Sequence, residues 1–129
     1  AIKTTKLLQE RRFGVYNGKK WDEVKEIFQA WDTLDQKSRL TFKPGDGYET
    51  DEEAISRFIT FLRETAVIFL GKTVLIVSHG TIMRIFLSHL LGKTYSSGAV
   101  GNLGYIKLKS DGVDFFVEDL VNIKKPNEK

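Results

Sequence analysis

Thr73-Val74-Leu75-Ile76-Val77-Ser78 is an unbroken β-branched and aliphatic run with no polar alternation. A strand of that pattern is buried on both faces, as in a parallel sheet. His79-Gly80 follows at once, and then a helical pattern from about Thr81 to Leu91 that stops at Gly92. Strand, tight turn and helix form a half-unit of an α/β fold. A buried strand needs a parallel neighbour on at least one side, and the chain offers no second apolar run of that type. Two alternating runs, about Gly104–Leu108 and Val113–Glu118, flank Ser110-Asp111-Gly112 and read as a hairpin that can cover one edge. The other edge has no evident partner.

The rest of the chain reads as helices and loops. Trp21, Val24, Phe28 and Trp31 recur at spacings of three and four, with Leu34 continuing the stripe, so a helix is expected from about Trp21 to Gln36. A loop from Thr41 to Glu49 contains Pro44, Gly45 and Gly47. Thr50, with Glu53 three residues on, has the capping-box pattern for a second helix. Its apolar face is Ala54, Ile55, Phe58, Ile59, Leu62, Ala66 and Phe69, and Gly71 supplies a left-handed stop. The chain has 129 residues, about one domain's worth, which is read as a single unit over residues 1–122 with a polar tail at 123–129.

Composition excludes several classes. With no cysteine, the chain has no disulfide scaffold, no thiolate metal site and no cysteine nucleophile. Lys plus Arg number 20 against 17 Asp plus Glu, a net charge of +3 with the signs interspersed, so no nucleic-acid partner is expected. The first residues lack the apolar core of a signal peptide, and the longest apolar-rich stretch, Ala66 to Leu70, is far short of a membrane span. The sequence therefore reads as cytoplasmic, with no membrane partner.

Chemistry concentrates at three places. His79 lies at the carboxyl end of the expected buried strand and ahead of a helix start, where open α/β sheets bind ligands and backbone N–H groups favour an anion. Gly80 permits close backbone approach. The bland alternative is a histidine that merely caps the helix. His89 shares the stripe of Ile82 and Phe86, which reads as a hydrogen-bonded, semi-buried histidine, while Arg84 either faces an anion or pairs with a carboxylate. The second place is Glu10-Arg11-Arg12-Phe13-Gly14 with Gly18. Arginines bind phosphate oxygens bidentately and a glutamate can move a proton, but exposed Glu-Arg-Arg runs are also common on ordinary surfaces. The third, Pro44-Gly45-Asp46-Gly47-Tyr48-Glu49-Thr50, is a loop and a helix cap in which Glu49 gains from the helix dipole.

Taken together, these segments resemble the histidine phosphatase superfamily, the phosphoglycerate mutase-like group. Val77-Ser78-His79-Gly80 with Arg84 resembles its second histidine motif. Leu8 to Gly14 with Gly18 resembles its acid-residue segment. Pro44 to Thr50 with Arg57 resembles its Pro-Gly-Gly-Glu-Ser segment, with Tyr48 in place of the usual second glycine. Asn102 matches a further position. The order and spacing agree from about Leu7 to Leu120.

The resemblance implies a three-layer α/β/α fold and phosphoryl transfer through a phosphohistidine. In this chain it assigns His79 to the transferring phosphoryl group and Glu10 to protonating the leaving oxygen and then activating water. It assigns Arg11, Arg12, Gly80, Thr81 and Asn102 to phosphate or substrate binding. A phosphorylated small molecule is the implied substrate, and neither a metal nor an organic cofactor is implied. The family's nucleophile lies in an Arg-His-Gly motif at the end of a first, central strand, and this sequence contains no Arg-His pair. The expectation is a phosphoglycerate mutase-like domain incomplete at its N-terminus and inactive as this chain. The alternatives are a phosphate-binding module without turnover and a structural or interaction protein on the same fold. Without the first strand the 74–78 edge is an association hazard, so a homo-oligomer is expected, with exchange of elements between copies as one route.

Overall fold

The computed structural model describes residues 2–126. Short 3₁₀ turns at Lys6–Leu8 and Gly14–Tyr16 precede four helices and a hairpin: α1 (Trp21–Thr33), α2 (Gln36–Thr41), α3 (Asp51–Ile68), α4 (Gly80–Leu91), β1 (Val100–Ser110) and β2 (Phe115–Ile123).

The first expected helix is divided in two. α1 ends at Thr33, and Asp35 then caps α2 by accepting from Ser38 N. An aspartate whose side chain can take an orphan N–H starts a new helix more readily than it continues an old one. Val24, Phe28 and Trp31 are buried as the stripe requires, whereas Trp21 stays exposed. α3 starts as expected, with Thr50 Oγ1 accepting from Glu53 N at 3.2 Å. Gly71 takes the left-handed conformation at φ 78°, and Gly92 does the same after α4 at φ 64°.

Trp31, Ala54, Ile55, Phe58, Leu62, Ile82, Ile85 and Phe86 form the core between α1, α3 and α4. Phe86 lies 5.2 Å from Phe58 and edge-on to Phe115 at 6.0 Å, which ties the helices to the hairpin. Such ring pairs contribute roughly 1 kcal/mol each beyond their buried area. The hairpin is antiparallel, with Lys107 opposite Asp119 and Leu108 opposite Val117. Glu118 is thus an extra residue in β2. This bulge switches the alternation, so Val117 and Leu120 both pack inward although three positions separate them.

The mixed helix and strand content is that of an α/β protein, but the described residues contain one sheet, and it has two strands. The run Thr73–Ser78, expected as a buried strand, forms no sheet at all. It stays outside any helix or ladder, with Ile76 and Ser78 half-buried, Leu75 90% exposed and Val77 79% exposed. Ile76 packs on the core, and Ser78 Oγ donates to Leu8 O at 3.1 Å. The physical reason is the missing neighbour: no described residue offers this run a backbone ladder. His89 is a second correction. The stripe it was read into ends at Phe86, and His89 is exposed, with its carbonyl accepting from Gln36 Nε2 at 3.1 Å. Among the described residues, no helix is long and apolar enough to cross a membrane. Of the polar tail, residues 127–129 lie outside the described residues.

Candidate functional site

The site is centred on the start of α4. The first N–H groups of a helix have no partner within it and carry partial positive charge. Here they are met by Glu10, half-buried, whose Oε2 accepts from Thr81 N at 3.1 Å and whose Oε1 accepts from Ile82 N at 2.9 Å. Oε1 also accepts from Arg11 N at 3.0 Å. Glu10 is therefore joined to Thr81-Ile82 across some seventy residues of chain. His79 is the residue before α4, extended at φ −126° and ψ 154°, and its side chain makes no capping bond. The bland reading of His79 as a side-chain cap does not hold, because Glu10 performs that task. His79 is left exposed, two residues before the first amide that Glu10 caps.

A second layer holds Glu10 in place. Glu49, on the residue before the α3 cap, is buried. Arg57, two turns into α3, donates to it twice, Nε to Oε2 and Nη2 to Oε1, both at 2.9 Å. The same guanidinium donates to Leu7 O at 2.8 Å and to Glu10 O at 3.3 Å. One arginine thus fastens the backbone on both sides of Glu10's turn. Glu49 also accepts from Arg12 N at 3.3 Å, and Glu49 N donates to Arg12 O at 2.8 Å. Burial alone would push the Glu49 carboxyl up, but the Arg57 hydrogen bonds and charge outweigh it and hold it below its ordinary value.

The two arginines of the Glu-Arg-Arg segment point to different places. Arg11 is buried, donates from Nη1 to Tyr48 Oη at 2.8 Å, and pairs through Nη2 with Asp51. Its guanidinium also lies 4.9 Å from the centre of the Tyr48 ring. Burial lowers its pKa against the pull of Tyr48, Glu49 and Glu10. Arg12 is exposed and faces Glu49 at 3.5 Å and Glu53 at 3.9 Å. Asn102 is exposed, and its carbonyl accepts from Asn122 Nδ2 at 2.7 Å. Its strand comes close to the site, since a Cβ placed on Gly80 would lie 3.8 Å from Val100. The geometry thus brings Glu10, His79, Gly80 and Thr81 together, with Asn102 on the neighbouring strand. It turns the guanidiniums of Arg11 and Arg12 toward carboxylates of α3 and its cap.

Arg84 belongs to the interior. It and Arg39 each lie 4.5 Å from the Trp31 ring, while Trp31 Nε1 donates to Asp51 Oδ2 at 2.6 Å. Burial first, and then the neighbouring Arg11 charge, bring the Arg84 pKa down to about 10, with Asp32 opposing. Sequence reasoning missed the Tyr48–Arg11 bond and the Arg–Trp stack. The Glu49–Arg57 clamp had a visible signal: an acid just before a helix cap and an arginine two turns later on the same face.

The profile of the histidine phosphatase superfamily (branch 1) matches residues 1–122, so the chain belongs to that superfamily. It is 31% identical over 103 residues to "6-phosphofructo-2-kinase 1" of Saccharomyces cerevisiae (strain ATCC 204508 / S288c). That match covers 79% of this chain and 12% of the yeast protein, so the chain spans only a small part of its relative's length. No solved structure matches the chain.

Proposed function

We propose that this chain carries the proton-transfer and phosphoryl-binding half of a histidine phosphatase site, on part of a three-layer domain whose central strand it does not itself contain. Superfamily membership supports phosphatase or phosphoryl-transfer chemistry on a phosphorylated small molecule. The observation that carries the reading is the Glu10 carboxylate on Thr81 N and Ile82 N, immediately beside His79. In this reading His79 hydrogen-bonds the transferring phosphoryl group. Thr81 receives one of that group's oxygens through its hydroxyl, while its amide and that of Ile82 stay on Glu10. Glu10 gives a proton to the leaving oxygen before taking one from water. Gly80 supplies backbone without a side chain at the phosphoryl group, and Asn102 reaches in from the neighbouring strand. Arg11 and Arg12, paired with Asp51, Glu49 and Glu53, act on the phosphoryl group only through the residual field of those pairs.

Attack on phosphorus needs a second histidine, and the other one in the sequence, His89, is exposed at the far end of α4. The 129 residues alone are therefore expected to hydrolyse an aryl phosphate no faster than background, while phosphate or vanadate at millimolar concentration raises the melting temperature. A robust rate abolished by His79→Ala would make His79 the nucleophile and overturn the assignment. No thermal shift would count against an intact anion site. The exposed Leu75 and Val77 support self-association of the isolated chain. Light scattering should show a mass above 14.7 kDa that falls to the monomer value in Leu75→Lys. A monomer at high concentration would refute association.

A further inference from the structure

A cleft of about 320 Å³ lies between the 13–19 turn, the first two turns of α1 and Tyr48, with no α4 residue in its lining. Its size sits at the lower end of small-molecule sites, roughly 300 to 1,000 Å³. Nothing in the phosphoryl-transfer reading uses it. Its walls are aromatic. Trp21 stacks on Phe28 at 5.4 Å and 23°, and Phe13 stands edge-on to Phe28 at 5.7 Å and to Tyr48 at 6.1 Å. Tyr16 stands edge-on to Tyr48 at 6.4 Å. The rings brace one another, so the slot is preformed. Gly14, at φ 60°, lies so close to Asp46 and Gly47 that no side chain would fit there, which locks the turn carrying Phe13 and Tyr16 against Tyr48.

The chemistry of the lining selects the ligand. Tyr16 gives its proton to Pro44 O at 3.0 Å, and the Tyr48 oxygen already receives Arg11 Nη1. Asn17 is the remaining neutral polar side chain of the lining, so a polyol would still lose water at most of its hydroxyls without compensation. A planar ring would meet ring faces and edges at stacking distance. The lining holds no carboxylate and one formal charge, the exposed Lys19 ammonium at the mouth. We propose that this cleft binds a planar aromatic molecule bearing an anionic group, with the ring against Trp21 and Phe13 and the anion toward Lys19. The Tyr48 ring is shared between the cleft and the Arg11 guanidinium, so an occupant would rest against the group that anchors the Glu10–Arg11 segment.

The probe is 1-naphthalenesulfonate, which has no phosphoryl group, so the result does not depend on the phosphatase reading. Calorimetric titration of the full chain should show binding, and the emission of the exposed Trp21 should be quenched. Trp21→Ala is expected to weaken binding about tenfold through loss of the stacked ring, and Lys19→Ala about threefold through loss of the exposed charge. Leu75→Lys, on the exposed 73–78 run, should leave binding unchanged, and glucose 6-phosphate should not compete. No binding at millimolar probe overturns the proposal. So does unchanged binding in either cleft variant, loss of binding in Leu75→Lys, or displacement by glucose 6-phosphate. Circular dichroism checks that Trp21→Ala folds, and Lys19→Ala, in an exposed turn, keeps the test decisive if it does not.

Discussion

The β1–β2 hairpin and the 73–78 run are built from the same residue types and end in different states. Along the hairpin, Tyr105 to Ser110 pairs with Val121 to Phe115, and inward residues such as Ile106 and Phe115 pack on the core. The 73–78 run has the stronger β composition of the two, yet it has no ladder and leaves Leu75 and Val77 in solvent. The difference lies in the partner. The hairpin's second strand begins a few residues after the first ends, across a turn held by Asp111 Oδ1, which accepts from Val113 N at 2.9 Å and Asp114 N at 2.8 Å. Closing so short a loop costs little entropy. The 73–78 run has no such neighbour, and β-propensity is a preference for a pleated, packed surface rather than for an isolated extended backbone.

The sharpest way to break this contrast is amide hydrogen exchange on the dilute chain. Those amides of Ile106 to Lys109 that face β2 should be protected roughly a thousandfold more than those of Val74 to Val77. A two-stranded ladder bonds every second amide, and these open only with the hairpin, whereas the run makes no backbone bond. Equal protection would mean that the run is paired in solution. The next largest effect tests the hydrogen-bonded attachment at the end of the run. Ser78 bonds to Leu8 O, and Arg57 holds Leu7 O through its pairing with Glu49. Glu49→Ala strands that guanidinium and should cost about 3 kcal/mol in denaturant unfolding, at the low end for breaking a buried pair because Arg57 is not fully enclosed. Protection at the 6–12 segment should fall with it.

The same pair sets an acid limit. The folded Glu49 pKa lies below its ordinary 4.5, so the folded state binds fewer protons than the unfolded one as pH falls through that region. The stability Glu49 contributes is complete above 4.5 and is lost progressively as pH drops through the folded value. A Glu49→Gln chain should lack that slope in a melting series from pH 6 to pH 3, and an identical slope would assign the acid sensitivity to other carboxylates.

What the sequence revealed follows the same division. Elements specified by local chemistry were legible: the Thr50 cap, the Gly71 and Gly92 stops, the α4 span and the hairpin turn each rest on residues a few positions apart. The break at Asp35 was missed, because Leu34 extends the apolar stripe across it while the cap acts through Ser38 N. The 73–78 run was expected as a strand buried on both faces and forms none, because strand formation depends on a distant neighbour, which no local pattern reports. At the site, Glu10, His79, Gly80 and Thr81 were named from motifs, and the fold brings them together. Arg11 and Arg12 were named with them, and local sequence could not show that Asp51, Tyr48 and Glu49 would claim their guanidiniums. Tyr48 stands out. It departs from the family's glycine, and the structure gives it a specific task as the buried partner of Arg11.

The smallest expected effect concerns Glu10 on α4, the helix that follows the unpaired run. Without Glu10 the first amides of α4 would lack their acceptor, while the bond at the end of the run, Ser78 to Leu8 O, does not involve Glu10. Glu10→Gln keeps the shape but removes the charge and one of the two acceptor oxygens. Losing a cap and its favourable interaction with the helix dipole costs about 1 kcal/mol, which corresponds to roughly 4 °C in melting temperature for a domain of this size. Because the interaction is electrostatic and half-exposed, the difference from the parent chain should shrink as salt is raised. Exchange at Thr81 and Ile82 should accelerate while exchange at Ile106 to Lys109 stays the same. A variant as stable as the parent, with those two amides equally protected, would show that the carboxylate does not rest on α4 in solution.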